Sequence, residues 1–344
     1  MAFLEFKNVK IVGISAGVPK KVVNNLELKN LSKDYDAAAF VEATGVKERR
    51  IDNFTTSDLC LVAAEQIIKD LNWDKSEIEA IVFVSQTRDY QIPATSCILQ
   101  DKLGLSKDCY AIDVEMGCSG WVYGLSNIVS LMSNGGIKKA LLMAGDAQRS
   151  FEADEPLFGY AGTVTALEYK EDDKGFQFHF GTDGSGYDAI IVLDGGSRNQ
   201  ITPASFEEEE IEGRTYNKLQ VRMKGMDVFS FAISTAPKSV KKLAEKFGFN
   251  YMSSDYYVFH QANMKMNNMI MKKLKLDIEK VPNSMYKFGN TSSASIPLTI
   301  VSQLKGKIEK TPTKFICCGF GVGLSWGTVA FETNDIVISD LVEV

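Results

Sequence analysis

A layered α/β fold with helices on both faces of its sheets is what this sequence predicts, and three observations predict it. Short, wholly apolar runs such as residues 80–85 (AIVFVS) read as buried central strands. Segments with apolar residues on one face lie between such runs and read as helices. The second half also presents its strand-like and helix-like segments in an order similar to the first, as a duplicated fold does, without any high-identity repeat.

In chain order, the opening MAFLEFKNVKIVG interleaves Glu5, Lys7 and Lys10 with apolar residues. That reads as a first strand, centred on residues 7–16, and not as a secretory h-region. Residues 57–72 form an amphipathic helix with Ser57 as its N-cap. Strands follow at 80–85, 109–114 and 140–144, with helices at 94–103 and 118–133. In the second half, helices are expected at 226–247, 262–274 and 292–304, the last with Pro297 near its start. Strands are expected at 256–259, 315–318 and 324–331, the last two flanking a glycine-rich turn. The boundary between halves falls in the polar stretch 195–213, giving units 1–194 and 195–344, with the acidic run Glu207–Glu210 as an exposed loop or helix start.

The 344 residues are enough for two such units. A hydrophobic share of 45% and a charged share of 24% are those of an ordinary globular chain. The net charge of −6 disfavours nucleic acid or an anionic membrane as the main partner. No run approaches the roughly 18 apolar residues of a membrane span, so a cytoplasmic location is expected. The six cysteines form no CxxC pair and have no ligand-like histidine spacing, so no metal site is expected. Most should be small buried apolar residues.

Four local patterns carry chemistry. In Val114-Glu115-Met116-Gly117-Cys118-Ser119-Gly120-Trp121 a strand ends, a glycine-flanked turn follows and an apolar helix begins. A thiol there meets the positive end of a helix, which favours thiolate; a small cysteine packed between glycines is the plainer alternative. His260, in Val258-Phe259-His260-Gln261-Ala262-Asn263, stands at a strand's end, where open α/β sheets place their sites. The only other histidine, His179, sits in the alternating run Phe176–Phe180 and is expected to face outward from a strand. Asn290, in Phe288-Gly289-Asn290-Thr291-Ser292, offers a donor amide ahead of a helix, though the segment also reads as a helix cap. Glycines 319, 321, 323 and 327 between two strands can bring backbone N–H groups to a reacting carbonyl, or form a simple hairpin.

Together and in this order, these patterns resemble the ketoacyl-ACP synthase III family of condensing enzymes, from about Val9 to Phe331. The resemblance rests on HQAN at 260–263, GNTS at 289–292 and GFGxGxxWG at 319–327. Matches at Ala43-Thr44-Gly45-Val46 with Glu48-Arg49, and at 223–229, add to it. It implies a thiolase-like five-layered α/β/α/β/α fold built from two duplicated halves, and a homodimer. It implies that Cys118 carries an acyl group taken from a coenzyme A or carrier-protein thioester, with the amides of Cys118 and Val322 as oxyanion hole. His260 and Asn290 would then hold a malonyl-carrier thioester while carbon dioxide leaves, with no cofactor required. Ile92 would reach across the dimer to shape the partner's acyl pocket, with Trp121, Leu157 and Tyr160 bearing on pocket depth.

The sequence departs from the family pattern at several positions. Ala39 and Ala43 stand where priming members carry a Trp and an Arg that sandwich the coenzyme A adenine. Loss of stacking predicts weaker coenzyme A recognition, by analogy with base–aromatic stacking of about 1–3 kcal/mol. Lys265 replaces an Arg, FGDGAG becomes Phe158-Gly159-Tyr160-Ala161-Gly162, Val322 replaces a loop glycine, and residues 332–344 run past the usual end. These point to a specialised member charged by an acidic carrier protein, docking on Lys265, Lys272 or Arg222. Three rivals stand beside condensation: transfer of the Cys118 acyl group to an alcohol or amine with His260 as base, a thiolase using a cysteine of the glycine loop, and an inactive binding homologue. Cys317 and Cys318 precede that loop, which disfavours the second.

Overall fold

The computed structural model describes residues 2–28, 36–147, 156–211 and 214–344. Two mixed sheets organise the chain, and their strands run in the same order. The first half supplies β1 (Ala2–Phe6), β2 (Val9–Val18), α1 (Thr56–Asp70), β3 (Ala80–Val84), α2 (Thr95–Lys102), β4 (Tyr110–Val114), α3 (Gly120–Met132), β5 (Lys139–Asp146) and β6 (Ala161–Tyr169). There follow β7 (Phe176–Thr182), α4 (Gly225–Phe247), β8 (Tyr256–Phe259), α5 (Met264–Leu274), α6 (Ser295–Leu304), β9 (Thr313–Gly321) and β10 (Ser325–Thr333).

Sheet one runs β2-β6-β5-β3-β4 and sheet two β1-β7-β10-β9-β8. In sheet one, β6 is antiparallel to both β2 and β5, and β5 is parallel to β3. In sheet two, β10 is antiparallel to both β7 and β9, and β9 is parallel to β8. The duplication is therefore one of topology. It starts again at β7, so the sheets divide between β6 and β7, ahead of the expected division after residue 194. The separation is also crossed both ways: β1 pairs with β7 in sheet two, whereas segments Val337–Ile338 and Val342–Glu343 run parallel to β2. The opening segment is thus two strands in different sheets, broken at Asn8, whose φ is 65°.

Helices α3 and α6 lie between the sheets, α1 and α2 cover the outside of sheet one, and α4 and α5 the outside of sheet two. That is the five-layered arrangement. A buried apolar cluster fills the space between the sheets and one lies under each outer layer. The middle helices are wrapped by protein, which explains why α6 (SIPLTIVSQL) buries Ser295 and Thr299 along with its apolar residues. Pro297 sits in its first turn, where a missing N–H costs nothing.

Local differences have local causes. Thr55, not Ser57, caps α1, in a capping box with Asp58, while Ser57 Oγ donates to Asp89 at 2.8 Å. Strand β6 escapes a pattern reading because Thr163 and Thr165 face the interior, where Oγ1 of the first donates to the Ala144 carbonyl and Oγ1 of the second accepts from Trp121 Nε1. His179 does not face outward. Helix α4 covers β7, so the ring is buried and its Nδ1 lies 2.8 Å from Ser239 Oγ. The acidic run is exposed, as expected, and ends in a short two-stranded ladder pairing Glu209 with Tyr216.

Candidate active site

Three chain segments separated in sequence converge at the carboxyl ends of the strands. Cys118 follows β4 in a tight turn closed by the Gly120 N–H on the Gly117 carbonyl at 2.7 Å, two residues before α3. Its turn is packed against the glycine loop between β9 and β10. A Cβ on Gly321 would lie 2.6 Å from Cys118 Cβ and 2.9 Å from its sulfur, so only a glycine backbone fits there. Ser119 Oγ meets Ser325 Oγ at 2.7 Å, and Ser325 Oγ donates to the Val322 carbonyl at 2.7 Å, which ties the two turns together. Val322 borders the same cavity as Cys118.

His260 follows β8, and its N–H donates to the Cys318 carbonyl of the neighbouring strand at 2.9 Å. The side chain is buried, with Nδ1 2.8 Å from Ser295 Oγ at the start of α6 and the ring edge-on to Phe320. Burial pushes its pKa down to about 3; a hydrogen bond with the Ser292 backbone works weakly the other way. The imidazole is therefore neutral at physiological pH.

Asn290 is fixed at both ends of its backbone. Its N–H donates to the Leu157 carbonyl at 2.9 Å and its carbonyl accepts from the Gly159 N–H at 3.1 Å. A side chain at Gly159 would strike the Phe288 carbonyl, so this glycine of the altered Phe158–Gly162 stretch is required by the approach. Asn290 Oδ1 accepts from the Ser292 N–H at 2.9 Å, which leaves Nδ2 as the group directed elsewhere.

Cys118, His260 and Asn290 line one cavity of ≈ 60 Å³. A larger cavity of ≈ 650 Å³ shares the walls Leu157, Phe158, Val221, Met223 and Asn263 with it. Phe40 and Thr44, on the short helix Ala37–Thr44, line the larger space, and Ala39 and Ala43 are on that helix. Leu157 borders both cavities. Trp121, on the middle-layer helix, is buried in the core with its indole on Thr165, and it lines neither cavity. Ile92 is 86% exposed. Lys265 is exposed on α5, but Arg222 is in the wall of the larger cavity, paired with Glu209 at 3.2 Å. Sequence reasoning missed the part of Phe158 and Met223 in the walls. Among the described residues no group of His, Cys, Asp and Glu could hold a metal ion.

Two related α/β halves presenting a cysteine, an imidazole and a carboxamide to one cavity define the class: a thiolase-fold enzyme. A family model for 3-oxoacyl-[acyl-carrier-protein] synthase III matches residues 112–184, and one for the C-terminal part of the same enzyme matches 244–333. The chain is 32% identical to the β-ketoacyl-[acyl-carrier-protein] synthase III of Clostridium acetobutylicum over 331 residues, 94% of this chain and 98% of that one. A crystal structure of 3-oxoacyl-(acyl-carrier protein) synthase from Burkholderia xenovorans LB400 superposes with a TM-score of 0.92 at 34% identity, covering 100% of this chain and 99% of that one. The synthase III of Pseudomonas aeruginosa PAO1 gives 0.82 at 28% identity, covering 96% and 100%. The chain belongs to the 3-oxoacyl-ACP synthase III family.

Proposed function

We propose that this protein is a β-ketoacyl-ACP synthase III-type transferase, which loads an acyl group on Cys118 and condenses it with a malonyl thioester. Cys118 thiolate attacks the acyl thioester carbonyl, the N–H groups of Cys118 and Val322 take the oxyanion, and the donor thiolate leaves. Malonyl-carrier thioester then enters, its carbonyl oxygen receiving hydrogen bonds from Asn290 Nδ2 and from His260. Carbon dioxide departs as the enolate forms, the enolate carbon attacks the acyl carbon, and the β-ketoacyl thioester leaves with Cys118 thiolate restored.

One observation carries this reading: the groups that share the cavity with the sulfur are an imidazole kept neutral by burial and a carboxamide whose Oδ1 is already engaged. A neutral imidazole with a pKa of about 3 is a poor base for an alcohol or amine, and a carboxamide is no base at all. Both suit charge that builds on an enolate oxygen. The acyl donor in this reading is carrier-bound, since Ala39 and Ala43 offer no aromatic or guanidinium surface to an adenine. Exposed Lys265 is the docking contact it favours. A second copy completes the molecule: edge strand β4 exposes Tyr110 (44%) and Ile112 (38%), and the neighbouring loop exposes Ile92. The proposed location is cytoplasmic; among the described residues no helix is long and apolar enough to cross a membrane.

Intact mass spectrometry with acyl-carrier and acyl-CoA donors, followed by malonyl-carrier, tests the reading. Expected are an acyl adduct absent from Cys118→Ala, then carbon dioxide release and a product two carbons longer. An adduct discharged by alcohols or amines, with no carbon dioxide, would point instead to simple acyl transfer.

A further inference from the structure

Two buried side chains that line neither cavity hold the segment to which Asn290 is bonded. They are Asn25 and Arg49, the second on the short strand Glu48–Arg50. Arg49 Nε donates to Asn25 Oδ1 at 2.8 Å, and Arg49 Nη1 donates to the Phe158 carbonyl at 3.2 Å. Asn25 Nδ2 donates to the Pro156 carbonyl at 2.8 Å and to the Val46 carbonyl at 2.9 Å. The carbonyl between them in sequence, that of Leu157, accepts the Asn290 N–H at 2.9 Å. Residues 156–158 thus present their carbonyls alternately, the outer two to the side-chain pair and the middle one to Asn290, as an extended segment does between two neighbours. Phe158 and Asn290 also form a parallel bridge. The pair reaches the residue before Asn290 as well. Gly289 has a φ of 66°, and a Cβ there would lie 2.8 Å from the Leu157 carbonyl oxygen, 3.2 Å from Val46 Cγ1 and 3.4 Å from Arg49 Cγ.

We propose that Asn25 and Arg49 are positioning residues of the decarboxylation step: they fix residues 156–158, and through the Leu157 carbonyl they set where the Asn290 carboxamide stands. This rests on the condensation reading above. The argument is geometric. A backbone hydrogen bond places its donor only as well as its acceptor is placed, and the Leu157 carbonyl is held by the clamped carbonyls on either side of it. A guanidinium suits the task because its planar fork spans Asn25 and Phe158 together, whereas a lysine offers a single point of attachment. A cation buried at this depth stays there only while its hydrogen bonds are met, so loosening one member loosens the set. Cys118 and the amides at 118 and 322 belong to turns braced instead by Gly321, Ser119 and Ser325. The pair therefore serves one half-reaction more than the other.

The test uses Arg49→Lys and Asn25→Ala, and places Arg49→Lys also in a chain whose residue 290 is the α-hydroxy analogue of asparagine. That analogue keeps the carboxamide but has an ester oxygen in place of the N–H, which cuts the hydrogen bond to Leu157. Acyl-Cys118 formation is followed by intact mass, and carbon dioxide release from malonyl-carrier on the pre-acylated enzyme. Thermal unfolding and amide hydrogen exchange report on the fold. Release should fall about 10²-fold in kcat in each single variant, the scale of a 1 Å displacement of a reacting group, with acylation changed much less. The ester chain should lose release to a similar extent by itself, even where a substituted pair does not fold. Within it, Arg49→Lys should cost less than about threefold more, since substitutions acting through one link are not additive. Exchange of the Asn290 and Gly159 amides should quicken at least about tenfold in Arg49→Lys while the amides of β3 and β5 keep their protection. Acylation that falls as far as release, a loss undiminished in the ester chain, or exchange quickened equally in β3 and β5 would overturn the proposal and leave the pair a general brace. Parent protein that acylates but releases no carbon dioxide would sink the condensation reading, and exchange at Asn290 would then decide the clamp alone.

Discussion

At the scale of the residue, the protonation state of His260 separates the two chemistries its position allows. With its pKa held near 3 by burial, the ring is neutral throughout the range in which the enzyme can be assayed. Carbon dioxide release from acyl-enzyme should then show no inflection near 6.5, the ordinary histidine value, as pH falls from 8 to 5. His260→Ala should lower that release by about 10²–10³-fold, the usual effect of losing a preorganised donor, while Cys118 acylation falls far less. An equal collapse of both steps, or a rate that halves near pH 6.5, would make His260 a base instead. The convergence of Cys118, His260 and Asn290 on one cavity was legible because each stands beside a glycine or at a strand's end, where pattern alone tells where the chain turns. Trp121, three places from Cys118 along the chain, is on a helix that turns it into the core.

At the scale of the element, the turn between β9 and β10 is what holds the sulfur in place. Its Gly321 lies flat against the cysteine, and Ser119, Ser325 and the Val322 carbonyl link the two turns. Gly321→Ala would drive a methyl into Cys118, and overpacking of this kind costs about 1–3 kcal/mol where the surroundings can shift. The shift here moves the nucleophile. Acylation measured by mass should therefore fall by at least about 10²-fold, since displacement of reacting groups by 1 Å costs that much. A variant that unfolds several degrees lower yet acylates normally would show the contact to be structural only. Most elements could be read from the sequence because a buried strand needs an apolar run and an outer helix an apolar face. The failures occur where interior positions hold polar groups with dedicated partners: threonines in β6, and in β7 the histidine that meets Ser239. In β6 the threonines broke the apolar pattern without breaking the strand, whereas β7 alternates as a strand should and only the facing of its histidine differs.

At the scale of the whole molecule, the duplication is visible as an order of strands and not as an identity of residues, which is why a sequence comparison of the halves finds so little. Sheet membership depends on long-range pairing: β1 and residues 337–338 and 342–343 each join the sheet built mainly by the other half. The tail covers what would otherwise be the open edge of β2, and Arg50 meets Glu343 at 2.6 Å. Global stability should record the burial of the two histidines in sheet two's layer. Both are held below 6.5, His179 to about 4 and His260 to about 3, with burial the first cause of each. Unfolding frees them to titrate normally, so between pH 6.5 and about 4 the unfolded chain binds more protons than the folded one. Stability then falls as pH falls, by up to about 1.4 kcal/mol per pH unit for each histidine. The carboxylates with lowered values, Asp74, Glu77 and Asp188, act only below their ordinary 3.8 to 4.5, and the raised cysteines Cys60, Cys109 and Cys318 only above 9, so none of these falls in the interval from 4.5 to 6.5 where the histidines act. Denaturant midpoints across that interval should slope downward with acid, and His179→Gln should reduce the slope by about half, since a glutamine keeps a polar partner for Ser239 without a proton to gain. A flat profile for the parent protein, or an unchanged slope in the variant, would mean that these rings are far more open to water than their packing against Ser239 and Phe320 allows.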